Sequence, residues 1–214
     1  MNQELSGKEA YEARKAERES QRQTAEPAAS HDAGKRVVRW TVWIVVIIGL
    51  AYGGYAYVKS QAPQGEDFSV QYPSQGQDHI AVGAAHATYN SNPPSSGPHY
   101  EEEAIPGFYG VDEALPDEQV IHNLEHGHVW IAYNPSITES VRTTLREYAS
   151  PTTVISPRAA NSADIALIAW GRVDTFNLVD GGIPPELQQR IDDFVKRHTN
   201  KGPEKVPSTG EFRK

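Results

Sequence analysis

Twenty-two consecutive residues, Val37 to Val58, carry one charge, Arg39 near their start. As a helix they reach roughly 33 Å, enough to cross the hydrocarbon layer of a bilayer. Such a run must sit in lipid or be covered by protein, so it divides the chain before any other feature is considered. Trp40 and Trp43 stand near one end and Tyr52, Tyr55 and Tyr57 near the other, where interfacial aromatic anchors belong. A cleavable signal peptide is the competing reading. The run is long, starts late, stays bulky to its end and lacks a small-residue cleavage site at Tyr57-Val58-Lys59. A retained transmembrane helix over 37–58 is therefore expected, with the lipid bilayer as its partner. Lys35, Arg36 and Arg39 crowd its N-terminal side against Lys59 alone beyond the other, which predicts a cytoplasmic N-terminus and an extracytoplasmic C-terminal domain. Gly49 and Gly53 form a Gly-x-x-x-Gly step that permits close helix approach and a homodimer.

The two sides differ in composition. Residues 1–36 are nearly free of large apolar side chains and read as a disordered cytoplasmic tail, because nothing in them offsets the entropy of ordering. Within them Lys8 to Arg22 are good helix formers and suit a transient charged helix with no apolar stripe to dock. Residues 59–72, rich in Gln, Gly and Pro, read as a linker, 73–200 as the extracytoplasmic domain and 201–214 as a flexible tail. Residues 1–59 hold 9 bases and 7 acids, net +2, whereas 60–214 hold 11 bases and 21 acids, net −10. An acidic outer domain excludes phosphate-backbone binding, so no nucleic-acid partner is expected. With no cysteine and Met1 the sole methionine, thiolate and thioether sites are excluded. Any metal must be held by nitrogen and oxygen.

The domain has two halves. From Gln77 to Gln119, Pro and Gly are too frequent for regular helices, as in Asn92-Pro93-Pro94-Ser95-Ser96-Gly97-Pro98-His99-Tyr100 and Pro106-Gly107-Phe108-Tyr109-Gly110. Tyr89, Tyr100, Phe108 and Tyr109 nonetheless argue that this stretch is ordered, and long ordered loops usually carry function. Beyond it, Val129, Ile131 and Tyr133 alternate with His128, Trp130 and Ala132 as a strand does. Ser136-Ile137-Thr138-Glu139 offers a capping box for a helix facing inward with Ile137, Val141, Leu145 and Tyr148 and ended by Pro151. Thr152 to Ser156 reads as a short strand and Ile165 to Val173 as a longer one. Pro184-Pro185 opens a last helix with Leu187, Ile191, Phe194 and Val195 on its apolar side. The expected fold class is α+β: a small mixed sheet with packed helices, in β-α-β-β-α order, after an irregular Pro/Gly/His-rich half.

The chemistry concentrates in His122-Asn123-Leu124-Glu125-His126-Gly127-His128, three imidazoles and a carboxylate in seven residues. His122, Glu125 and His126 match the inverted zinc-protease string His-x-x-Glu-His, in which two histidines one helical turn apart share a metal and the Glu polarises water. Gly127 ends any helix at once, which argues against that enzyme. His79, His86, His99, His122, His126 and His128, six of the eight histidines, fall between positions 79 and 128, a density that suggests convergence in space. Singly, each is as well explained by a hydrogen bond to irregular backbone. Glu101-Glu102-Glu103 can add oxygen ligands but reads more simply as a solvated face, and so does Asp192-Asp193. Ser95 and Ser96 read as turn residues rather than nucleophiles.

The strings Asn90-Ser91-Asn92-Pro93-Pro94-Ser95-Ser96-Gly97-Pro98-His99-Tyr100, Gly107-Phe108-Tyr109, His122-Asn123-Leu124-Glu125-His126-Gly127 and Ala169-Trp170-Gly171 resemble the bacterial family built on the domain of unknown function numbered 3105, over roughly residues 68–200. That resemblance implies an N-terminal membrane helix like Val37 to Val58. It ranks His99, His122 and His126 above His86 and His128, and it implies no particular reaction.

Three functional readings follow. The first is a membrane-anchored extracytoplasmic domain that binds a divalent transition metal, zinc or copper(II), through His99, His122 and His126 with His79 a fourth candidate, Glu125 serving as ligand or as acceptor for an imidazole. The second is a metal-dependent envelope hydrolase with Glu125 as general base. The third is a non-catalytic envelope interaction module.

Overall fold

The apolar run forms one unbroken helix. The computed structural model describes residues 7–24, 30–208 and 210–214, in two units, Met1–Val58 and Lys59–Lys214. The first unit holds α1 (Gly7–Thr24), exposed along nearly its whole length, and all but the last three residues of α2 (Ser30–Gln61). Within α2, Gly34–Ser60 is long and apolar enough to cross a membrane, and no part of it is buried by protein. Gly49 and Gly53 both face open space.

The second unit is α+β, with a six-stranded mixed sheet at its centre. Its strands are β1 (Val70–Gln71), β4 (Gly107–Phe108), β5 (Val129–Tyr133), β6 (Thr153–Pro157), β7 (Ile165–Ala169) and β8 (Arg172–Phe176), in the order β1-β8-β7-β5-β6-β4. The pairs β4–β6 and β5–β6 are parallel and the others antiparallel. The order is richer than the sequence pattern suggested. The expected long strand 165–173 is a hairpin, because Gly171 turns at φ +67°, where its lack of Cβ removes the steric penalty.

All five residues of β5 are buried, so the strand is covered on both faces. Val129, Ile131 and Tyr133 join Ile165 and Leu167 beneath α4 (Glu139–Arg146) and α5 (Pro185–His198), through Val141, Leu145, Ile191 and Phe194. Trp130 and Ala132 join Ala166 and Ile168 in a second cluster on the opposite face, with Val120 and Leu124 of α3 (Asp117–Glu125) and Tyr109. The irregular half is thus the cover of that second face, which is why it is ordered. Each large side chain so buried contributes about 1.5–3 kcal/mol. The cap of α4 is Thr138, whose hydroxyl accepts from the Val141 amide at 3.4 Å, rather than the box beginning at Ser136. Ser136 instead bonds Asn134 Oδ1 in the turn before it.

Both flanking segments are tied to the sheet unit. The Asp193 carboxylate accepts the Gln64 and Gly65 amides at 2.7 Å each. At the other end, the Asn200 amide donates to the Gly127 carbonyl at 2.7 Å and the Glu204 amide to the Glu125 carbonyl at 3.1 Å. Arg213 bridges to β4.

Candidate metal centre

Two short strands outside the main sheet begin the site. β2 (His79–Ile80) and β3 (His99–Tyr100) run parallel, with His79 opposite His99. Side chains opposite one another across a pair project to the same side, so register alone brings these two imidazoles together across the loop of residues 81–98. Their ring centroids lie 4.8 Å apart. Helix α3 packs against β3 and adds His122, whose ring is 5.0 Å from His79 and 5.1 Å from His99. His126, one turn on, is 4.6 Å from His122. Gly127 then turns the chain out of the helix at φ +83°.

Hydrogen bonds fix which nitrogen of each ring is free. His99 Nδ1 donates to the Gly97 carbonyl at 2.8 Å, and His122 Nδ1 donates to the Tyr100 carbonyl at 2.7 Å. A carbonyl only accepts, so in the neutral ring the proton belongs on Nδ1 and Nε2 presents a lone pair. His126 Nδ1 faces Glu103 Oε2 at 3.1 Å with the same consequence. The freed Nε2 atoms point at acceptors: His99 Nε2 is 2.9 Å from Glu125 Oε2, and His122 Nε2 is 3.2 Å from His126 Nε2. Lone pairs that face one another at these separations call for a shared cation, a proton or a metal ion.

Glu125 is the centre of the charge argument. Its side chain is 2% exposed, its Oε1 accepts from Gln77 Nε2 at 2.6 Å, and His79 Nε2 is 3.7 Å from Oε2. Among the described residues its ionic partners are His79 and His99. A buried carboxylate is costly unless a positive charge answers it. His122 is poorly suited to supply one. Burial, the largest influence, holds its pKa below the usual histidine range, and His126, His99 and His79 push the same way against the upward pull of the Tyr100 carbonyl. Neutral imidazoles around a carboxylate are a ligand set for a divalent transition ion.

The geometry fits one. His79, His99 and His122 form one group, and His122, Glu125 and His126 another, with the ligand atoms of each group within 4.8 Å of one another. Two ligands on a tetrahedral zinc with bonds of about 2.0–2.1 Å stand about 3.3 Å apart. The contacts of His99 and His79 with Glu125, 2.9 and 3.7 Å, bracket that value, and the 3.2 Å contact of His122 with His126 lies close to it in the second group. His79, the last-ranked sequence candidate, thus joins His99 and His122 with its own side chain 47% exposed, while His126 belongs to the other group.

The other histidines lie elsewhere. His86 bonds the Ala87 carbonyl and Glu118, buried His128 meets Asn123 Nδ2 at 3.2 Å, and His198 packs at a tilt against Phe194 beside Asp67. His31 lies outside the described side chains. Ser95 and Ser96 are buried turn residues, bonded to Ser91 Oγ and to the Gln75 amide. Sequence reasoning missed Gln77, for which no signal exists. It also set aside Glu103, whose proximity to His99 in the chain was the only cue.

A family model described as protein of unknown function (DUF3105) matches residues 81–210. The chain belongs to that family. No curated protein and no solved structure matches it. The DUF3105 match takes in His99, His122, Glu125 and His126 and starts just after Gln77 and His79.

Proposed function

We propose that this DUF3105 chain is a membrane-anchored extracytoplasmic protein that binds a divalent transition ion, zinc or copper(II), through Nε2 of His79, His99 and His122 and the carboxylate of Glu125. The observation that carries this reading is the convergence of histidine Nε2 atoms, those of His99 and His122 freed by Nδ1 bonds to carbonyl oxygens, around a buried carboxylate whose ionic partners among the described residues are His79 and His99. Such outer bonds orient and hold metal-ligating imidazoles. Glu125 has both oxygens engaged, which favours a ligand over a general base. The absence of sulfur from the domain favours zinc or copper(II) over copper(I). The apolar helix supplies the anchor, and the bases at Lys35, Arg36 and Arg39 support an N-terminus in the cytoplasm.

The test is elemental analysis of the full chain, purified in detergent without chelators, beside a His99→Ala/His122→Ala variant. About one zinc or copper per chain in the parent, lost in the variant, is expected; a parent that stays metal-free after incubation with both ions overturns the reading. Orientation is tested with Val82→Cys, an exposed position in a chain without other cysteines. Intact cells should react with a membrane-impermeant maleimide, and protection until lysis overturns the extracytoplasmic placement.

A further inference from the structure

Composition predicts a linker between α2 and β1, yet residues 64–69 are clasped to α5. Asp193, 2% exposed, takes the Gln64 and Gly65 amides on its two oxygens, and Arg197 donates to the Gly65 carbonyl at 2.8 Å. Gly65 lies so close that a Cβ on it would meet Asp193 Oδ2. Farther on, the Ser69 amide and hydroxyl donate to Asp67 Oδ1 at 3.0 and 2.7 Å, and Asp67 Oδ2 faces Arg197 Nε at 3.8 Å. The Arg190 guanidinium, itself bonded to Asp174, covers the Phe68 ring at 4.4 Å. His198 is the misfit in this clasp. It is 8% exposed, packs against Phe194, and buries an Nε2 that has no hydrogen-bond partner among the described residues, with Asp67 Oδ2 3.6 Å away. A buried polar atom without a partner calls for a reason. The charged groups facing the ring are Asp67 from the strap, Arg172 from β8 and Arg197 from α5 itself.

We propose that the strap of residues 62–69 is an acid-opened clasp: protonation of His198 releases it from α5 and leaves it as slack tether between α2 and β1. Burial, the largest influence, holds the clasped imidazole below the usual histidine range; Asp67 pulls it up, and Arg172 and Arg197 push it further down. Once the strap lifts, the ring meets water and titrates near the ordinary value of about 6.5. The open form therefore takes the proton first, and acid shifts the balance toward it. Burial pushes Asp67 and Asp193 upward, but the bonds from Ser69 to the one and from Gln64, Gln189 and Gly65 to the other, with nearby cations, hold both below the usual carboxylate value. Both stay ionised from pH 7.5 to 5.5, so His198 is the group of the clasp that changes charge. One proton taken up near 6.5 raises the open population by at most about tenfold over that interval. Released, the eight residues extend to about 26–29 Å.

The test is hydrogen exchange of the full chain in detergent, read by mass spectrometry on the segment 62–69 as protection relative to the intrinsic rate at each pH. From pH 7.5 to 5.5 the parent's protection there should fall severalfold, at most about tenfold, while β5 stays protected. His198→Gln, which takes up no proton in this range, should show no such fall. Asp193→Asn, which removes an acceptor from the clasp, should leave the segment weakly protected at both pH values. Constant protection in the parent overturns the proposal without recourse to any variant. An equal fall in His198→Gln assigns the response to another group, and an equal fall in β5 makes it global unfolding; either overturns it. Full protection in Asp193→Asn would mean that Asp193 does not hold the strap to α5, and overturns it as well.

Discussion

Asn123 shows how one side chain can set the site without touching its inner ligands. Its Oδ1 accepts the Ala104 amide at 3.0 Å and its Nδ2 donates to the Ala104 carbonyl at 2.8 Å, clipping the loop after β3 to α3. Leaving those buried groups unpaired in Asn123→Ala should cost about 1–3 kcal/mol, read as a lowered urea midpoint. Gln77 acts on Glu125 in the same indirect way. If it orients that carboxylate for an ion, Gln77→Ala should weaken zinc binding about 10–100-fold in chelator competition; an unchanged affinity would mean that Glu125 needs no such support. Glu125 itself was legible as a chemically important residue, because a carboxylate among three histidines stands out in the sequence. Of its two partners at the oxygens, His99 was a named candidate and Gln77, from an unremarkable stretch, was not, and only the fold sets both beside it.

At the scale of elements, the regular half was legible and the irregular half was not. Hydrophobic periodicity in Val129–Tyr133 and in the helix carrying Val141 and Leu145 reflects burial against neighbouring elements, so it survives into structure. Leu145→Ala should accordingly cost about 2–5 kcal/mol in denaturant unfolding. β2 and β3 have two residues each and no periodicity to read; their pairing is decided by the loops that carry them. The end of α3 was readable at Gly127, whose φ of +83° suits glycine and whose Cβ position is crowded by Asn200 and Gly202 backbone. Gly127→Ala should destabilise the protein by about 1–3 kcal/mol, visible as a lowered melting temperature.

For the whole molecule, pH links fold and site. His122, His128 and His198 are each held below the usual histidine range, burial being the largest influence on all three. Groups with lowered folded pKa values are protonated first in the unfolded chain. Their stabilisation is complete above the unfolded histidine value of about 6.5 and is lost as pH falls from there toward the folded values. His86, raised by its bonds to the Ala87 carbonyl and Glu118, works the other way, one group against three. The metal-free chain should therefore melt at a lower temperature at pH 5.5 than at pH 7.5, and a flat or rising profile would contradict this burial. Saturating zinc should raise the melting temperature at pH 7.5, since an ion at 100 times its dissociation constant adds about 2.7 kcal/mol, and the gain should shrink at pH 5.5 as protons compete for the imidazoles.

The sequence by itself determined the apolar helix, the acidic sulfur-free domain, the α+β class and the wealth of histidine. These follow from composition and from periodicities that local contacts enforce. Only the tertiary structure decided which histidines meet. His79 and His99 are joined by strand register, His122 and His126 by a helix packed against that pair, and the C-terminal segment is bonded across the end of that helix at Glu125 and Gly127. Convergence of side chains from distant positions is a property of packing, and packing leaves no period in the chain.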